Sequence, residues 1–531
     1  MFGLQPGHRP CRPACRSAAA LVVTGFLTAL PLRAGQARPD AVPTPAISVA
    51  PVGTHGFPAG STTVDLSAYG YTEQEFFISG TARSFVAQGT LGTDGRWNAA
   101  ASGASSPYTT RLLVRRPTDP ARFNGTVVVE WLNVSAGADG TPDWSLGHQE
   151  LLRAGYAWVG VSAQLVGAEF LEGWETGPDA RYARIFHPGD SFSYDIYSQA
   201  AKAIRQPANG DPQPLGSLTR RVRTLLADGE SQSAFRMVTY YNAVQPTARL
   251  YDGLLIHSAG SGAPLSQSYG GGAALPAPPG VPATPDITVP ATAQIRDDLP
   301  QPVLFVNTET DLTVLGAARS VHLQPDSRHF RMWEIAGASH ADQTLLADSL
   351  ADGVKEGITT SLDCGDPPIN DGPDRFAIRK AYSALAAWTR QGQQPAVGPR
   401  MSVTIPAVPG SPSIDRSATT GLAIGGIRYP QIAVPTGTQT GERPAGALAA
   451  NPFCVLFGAS DPWNGNSDAW DGKAGFDPSP TPEPDLHALY PSRADYLVRV
   501  GLSTYRILTA GFLLPADIPE VLTDAAKAPV R

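Results

Sequence analysis

Gly229-Glu230-Ser231-Gln232-Ser233 sets a serine between small residues two places before it and two places after it. The apolar run Leu225-Leu226-Ala227 stands before it, and a helical pattern over residues 234–241 follows. A serine hydroxyl is a useful nucleophile only when it is held exposed, beside a base and beside N–H groups that can receive an oxyanion. A tight strand-to-helix turn supplies all three conditions. The spacing therefore predicts a nucleophile elbow carrying Ser231, with residues 221–226 as its strand and residues 234–241 as its helix. Ser233 departs from the glycine that such turns more often place there.

A triad on this kind of turn continues in the chain order serine, acid, histidine, with each partner on a loop just past a strand. Residues 301–307 form a compact apolar run that empties into Thr308-Glu309-Thr310-Asp311, and residues 330–335 form another that empties into Ala336-Gly337-Ala338-Ser339-His340. His340 is thus the candidate base. Glu309 and Asp311 both compete for the acid, and the strand-Gly-x-x-Asp pattern common at this point favours Asp311, with Glu309 as the alternative. His257 is a rival base by residue type, but it precedes both acids and breaks the order.

The oxyanion needs one N–H from the residue after the nucleophile, Gln232, and a second from the loop after an earlier strand. The β-branched run Thr126-Val127-Val128-Val129 leads through Glu130-Trp131 into such a loop. By position the second donor is the backbone N–H of Asn133, with Leu132 the near alternative.

These residues need a sheet whose strands all end on the same side. Residues 126–131, 157–163, 251–257, 301–307 and 330–335 read as buried strands separated by helical patterns such as 147–154. That alternation predicts a mostly parallel α/β sheet covered on both faces, with residues 75–80 and 108–114 as antiparallel strands at its first edge. Residues 63–531 read as a single large domain without internal repeats, entered through a flexible segment at 38–62 rich in Pro, Gly and Ala. Insertions at about 164–216 and 260–294 fall where such sheets carry substrate pockets. The aromatic and polar residues Trp131, Phe186, His187 and Tyr194 are candidates to line one. Residues from about 395 to 531 read as an appended layer, with helical patterns across 486–527.

The first 37 residues combine Arg9, Arg12 and Arg16 with an apolar run over 18–30 that is too short to span a bilayer, and Gly35-Gln36-Ala37 offers a small-residue cleavage site. This is the pattern of a signal peptide and predicts a secreted or periplasmic protein. Its removal takes away four arginines and no carboxylate, moving the formal charge from -7 to -11. An acidic chain without clustered Lys and Arg is a poor nucleic-acid partner. No later segment approaches the length of a membrane span. Neither a metal-ligand cluster nor a glycine-rich nucleotide loop is evident, so no cofactor is expected. Cys11 and Cys15 leave with the leader. Cys364 and Cys454 remain, either as buried thiols or, in an oxidising compartment, as a disulfide contributing roughly 3 to 5 kcal/mol.

The chain resembles a bacterial family of secreted α/β-hydrolase-domain proteins over nearly all of its mature length. The resemblance is carried by Val129-Glu130-Trp131-Leu132-Asn133-Val134-Ser135, His187-Pro188-Gly189-Asp190-Ser191, Gly229-Glu230-Ser231-Gln232-Ser233, Thr308-Glu309-Thr310-Asp311, Ala336-Gly337-Ala338-Ser339-His340, and Cys364 with Asn370-Asp371-Gly372-Pro373. It implies the α/β-hydrolase fold and a Ser231, Asp311, His340 triad. The expected activity is hydrolysis of a small-molecule or oligomeric carboxylic ester through an acyl-enzyme. The alternatives are an acyltransferase using the same triad and a non-catalytic ligand-binding protein on the same fold. An interfacial lipase would need an apolar lid, which the Gly/Pro-rich 260–294 excursion does not offer.

Overall fold

A computed structural model describes residues 42–177, 179–265, 289–358, 361–407, 410–443, 451–463 and 483–530. The leader expected at 1–37, with Cys11 and Cys15, lies outside the described residues, as do residues 266–288 of the 260–294 excursion.

β1 (Ala46–Val49), β2 (Tyr71–Ala87) and β3 (Ala99–Pro117) pair antiparallel. They continue into β4 (Thr126–Trp131), β5 (Ala157–Val161), β6 (Thr224–Glu230), β7 (Gly253–His257), β8 (Val303–Thr308) and β9 (Phe330–Ile335). Together they make a nine-stranded sheet in the order β1-β2-β3-β5-β4-β6-β7-β8-β9. Neighbours from β5 through β9 run parallel. Every residue of β4 to β9 is buried, because alternate side chains feed two different cores. Val127, Val129, Leu225, Ala227, Leu254 and Ile256 enter one, whereas Val128, Leu226, Leu255 and Leu304 enter the other. That two-sided demand is why these strands are continuous apolar runs rather than alternating ones.

Helices cover both faces. α1 (Pro142–Arg153), α2 (Leu165–Trp174), α3 (Ser193–Arg205), α4 (Gln232–Thr239), α5 (Gln245–Ala248), α6 (Glu309–Thr313), α7 (Gln343–Lys355) and α8 (Asp374–Gln391) follow in chain order. Trp144 and Leu151 of α1 pack with Phe376 and Leu385 of α8 on one face, while Ile196 and Ile204 of α3 pack with Met237 and Val238 of α4 on the other. Beyond α8 the chain adds two small two-stranded sheets and the helices Arg493–Thr509 and Ile518–Ala525. Cys364 and Cys454 form a disulfide across a sequence separation of 90. Among the described residues no helix is long and apolar enough to cross a membrane.

Two expectations need correction. The entry segment is not wholly flexible, since Ala46–Val49 pairs with Phe76 to Ser79 of β2 and buries Ile47. The unpaired edge of a 17-residue strand is a better partner for this stretch than water. The strand before the elbow also begins later than residues 221–226: Gly216–Arg221 is a 3-10 turn, and β6 runs from Thr224 to Glu230, up to the serine itself.

Candidate active site

β6 hands the chain to α4 through one residue, Ser231, whose backbone lies at φ 55 and ψ -123. This positive φ is disfavoured for a residue with a Cβ and persists only where its surroundings fix it. Here the Ser231 N–H donates to the His257 carbonyl at 2.9 Å, and the Ser231 carbonyl accepts from Phe235 N–H at 3.1 Å. A Cβ at Gly229 would come within 3.0 Å of Met237 Cγ and 3.2 Å of the Ser233 carbonyl carbon, so the turn needs its smallest residue there. Ser233 fits in place of a glycine because its Oγ donates to the Glu230 carbonyl at 2.7 Å and closes the turn from inside. Ser231 keeps partial exposure while Glu230, Gln232 and Ser233 are buried.

His340 reaches the elbow from the loop after β9. Its Nε2 lies 2.8 Å from Ser231 Oγ and its Nδ1 lies 2.7 Å from Asp311 Oδ1. Asp311 is the third residue of α6, and its other oxygen closes that helix's capping box by accepting from Thr308 N–H at 2.6 Å and Thr308 Oγ1 at 2.8 Å. One carboxylate oxygen is therefore fixed by the helix end while the other meets the imidazole. Burial by itself would raise Asp311, but the hydrogen bond and charge of His340, with the Thr308 N–H, hold it below the ordinary carboxylate value. Burial would lower His340, and the carboxylates of Glu230 and Asp311 more than reverse that, raising it.

Glu309 faces away from this contact. It accepts from Gly337 N–H at 2.7 Å, Gly441 N–H at 3.0 Å and Arg416 Nη2 at 2.8 Å. It thus ties the loop that carries His340 to the chain arriving much later. The same loop is held by Thr310 Oγ1, which accepts from His340 N–H at 3.2 Å, and by the Leu456 carbonyl, which accepts from Ala341 N–H at 2.9 Å.

Asn133 does not fit the expected role of backbone oxyanion donor. Its N–H is taken up by the Gly140 carbonyl at 3.0 Å in an antiparallel bridge, and the N–H of the alternative, Leu132, by the Val161 carbonyl at 3.2 Å. The Asn133 side chain instead turns to the elbow, with Nδ2 donating to the Glu230 carbonyl at 3.1 Å and to Glu230 Oε2 at 3.0 Å. Gln232 lies where expected, at the first position of α4.

The residues offered as pocket lining mostly belong to the interior. Trp131 is buried, with Nε1 donating to Gln164 Oε1 at 2.9 Å and its ring against Tyr194 and Tyr197. His187 is buried with Nε2 2.8 Å from the Ala163 carbonyl, and the hydroxyl of the buried Tyr194 donates to the Pro264 carbonyl at 2.8 Å. Only Phe186 is exposed, on a strand-like bridge to Thr109. The inserted segment supports the sheet here, because the polar tips of Trp131, His187 and Tyr194 each find a partner within the fold.

Sequence reasoning passed over Glu230 and set His257 aside on chain order, and the structure places both near the serine. Glu230 Oε1 stands 3.3 Å from His340 Nε2. Beneath it, the rival base His257 is fully buried between Asp143, 2.7 Å from Nδ1, and Asp374, 3.2 Å from Nε2. Burial opposes the charge on His257, but these two carboxylates hold it well above the ordinary imidazole value. Both of its ring nitrogens are turned to these carboxylates. The signal for both was present: a carboxylate at the last position of β6, next to the serine, and a histidine at the last position of β7.

Comparison with solved structures returns esterases of low identity. A CE15 glucuronoyl esterase from Teredinibacter turnerae is 14% identical over 42% of this chain and 47% of that one, with a TM-score of 0.21. This chain thus spans about half the length of that enzyme. A glucuronoyl esterase from Solibacter usitatus is 11% identical over 60% and 87% with a TM-score of 0.24, and a fungal esterase from Rhizomucor miehei 12% identical over 56% and 91% with a TM-score of 0.23. No curated protein sequence matches. The family described as an alpha/beta hydrolase domain matches residues 42–523, and the chain belongs to that family.

Proposed function

We infer that this protein is a secreted serine hydrolase acting on carboxylic esters by acyl transfer to water. The observation that carries this reading is the continuous hydrogen-bonded relay from Ser231 Oγ to His340 Nε2 and from His340 Nδ1 to Asp311 Oδ1. Ser231 Oγ attacks the ester carbonyl carbon as His340 Nε2 takes its proton, and Asp311 holds the imidazolium so formed. The tetrahedral intermediate collapses when His340 returns that proton to the leaving alcohol. Water then attacks the acyl-serine by the same route, releasing the acid and restoring Ser231.

Two N–H groups must receive the developing oxyanion. Gln232 supplies the first from the head of α4. For the second we assign Val134, since Leu132 and Asn133 are already engaged and Ser135 N–H donates to Asn133 Oδ1 at 2.8 Å. Val134 is buried next to these engaged positions, on the loop that follows β4. Each such donor is worth roughly 3 to 4 kcal/mol of transition-state stabilisation. An ester is preferred to an amide by analogy with secreted hydrolases of this fold, and the leader at 1–37 is the basis for secretion.

A fluorophosphonate probe followed by peptide mapping tests the reading. Labelling at Ser231 that is lost in Ser231→Ala and His340→Ala supports it, and a screen of ester substrates, with and without added alcohol, then separates hydrolysis from acyl transfer to the alcohol. Well-folded protein that resists the probe would leave a binding role as the better account.

A further inference from the structure

We propose that Glu230 is a positioning residue for this chemistry, which through its contact with His340 Nε2 sets the basicity of the imidazole and counters the charge that develops on it. The inference rests on the Ser231, His340, Asp311 reading. Glu230 is the residue before the nucleophile, and its side chain is 3% exposed as a residue, aimed at the same nitrogen that faces Ser231 Oγ. Its other oxygen accepts from Asn133 Nδ2 at 3.0 Å, which fixes the carboxyl in rotation. A carboxyl buried for packing alone would cost several kcal/mol if ionised. Its placement within reach of an imidazole offsets that cost.

The groups facing Glu230 come from four elements: His340 on the loop after β9, His257 on β7, Asp143 on α1 and Asp311 on α6. Asp374 of α8 stands on the far side of His257, 3.2 Å from its Nε2. Burial dominates and raises Glu230, His340 and His257 lower it, Asp143 and Asp311 raise it, and the result is a carboxyl pushed up to about 7. Near neutrality it therefore passes between acid and carboxylate.

As a carboxylate it favours the proton on His340 Nε2. The imidazole then needs a higher pH to become the free base that takes the serine proton. Once the serine attacks, the same charge stands 3.3 Å from the nascent imidazolium and stabilises it alongside Asp311. The proton path is unchanged: it moves from Ser231 Oγ to His340 and on to the leaving group, and Glu230 exchanges none of it. Two measurable effects follow with opposite consequences, a higher acidic limb and a faster plateau.

The test is the rate of fluorophosphonate labelling of Ser231 as a function of pH, in the wild-type protein and in Glu230→Gln and Glu230→Asp. Glu230→Gln is expected to move the acidic limb down by about one pH unit or more and to slow the plateau by about tenfold. Glu230→Asp, which keeps the charge but draws it back by one methylene, is expected to fall between them. If Glu230→Gln does not fold, an acidic limb in Glu230→Asp lower than that of the wild type carries the same conclusion. An acidic limb identical in the wild type and in every folded variant would overturn the role of Glu230 alone. Wild-type protein never labelled at Ser231 would instead remove the reading on which it rests.

Discussion

Asp311 and Glu309 are two positions apart, equally buried, and attached to different things. Asp311 meets His340, whereas Glu309 anchors the backbone on either side of the site through Gly337, Gly441 and Arg416. Asp311→Asn should accordingly lower kcat by about three to four orders of magnitude, with a smaller cost in stability because the amide no longer carries the charge beside His340. Glu309→Gln should act mainly on stability, costing about 2 kcal/mol, because Arg416 loses one carboxylate partner and keeps Glu442. Steady-state kinetics and calorimetry on the two variants distinguish these outcomes, and a larger kinetic loss in Glu309→Gln would exchange their roles. The sequence brings Ser231, Asp311 and His340 into view because each stands just past a run of largely apolar residues. It does not reveal that the Asn133 N–H is engaged, since the bridge to Gly140 is a loop pairing that no periodicity announces.

The elbow is where element geometry decides chemistry. Gly229→Ala forces a methyl group against Met237 Cγ and the Ser233 backbone. The methionine can yield, but the first turn of α4 cannot without tilting the Gln232 N–H, so about a tenfold to hundredfold loss in kcat is expected with the fold retained. Ser233→Gly removes only the hydrogen bond to the Glu230 carbonyl, and should cost about 1 kcal/mol of stability with activity within a few fold. The parallel strands β4 to β9 are legible because burial on both faces makes each a short apolar run. The edge strand at Ala46–Val49 is not, because its four residues Ala-Ile-Ser-Val are set in a stretch rich in Pro, Gly and Ala and only the unpaired edge of β2 turns them into a strand.

Across the whole molecule, buried ionisable groups give stability a preferred pH. Burial pushes Glu230 and Asp342 up to about 7 from ordinary values of 4.5 and 3.8. Between those limits the folded chain binds more protons than the unfolded one, so stability falls as pH rises through that window. His340 and His257 are raised, so their contribution is complete below 6.5 and is lost as pH rises through their folded values. Asp311 is lowered and acts oppositely, its contribution present above 3.8 and lost as pH falls through its folded value. Thermal unfolding should therefore be highest near about pH 5 and lower by a few degrees near about pH 8. Asp342→Asn, which retains an acceptor for the Leu345 N–H, should flatten the slope; an unaltered slope would reject this account. The loop that carries His340 leans on Gly441 through Glu309 and on Leu456, two residues beyond the disulfide partner Cys454. On a ribosome, the serine, acid and histidine all emerge more than a hundred residues before those supports exist. A nascent chain thus carries Ser231, Asp311 and His340 long before it can hold them in place, and assembly of the site waits on segments made late.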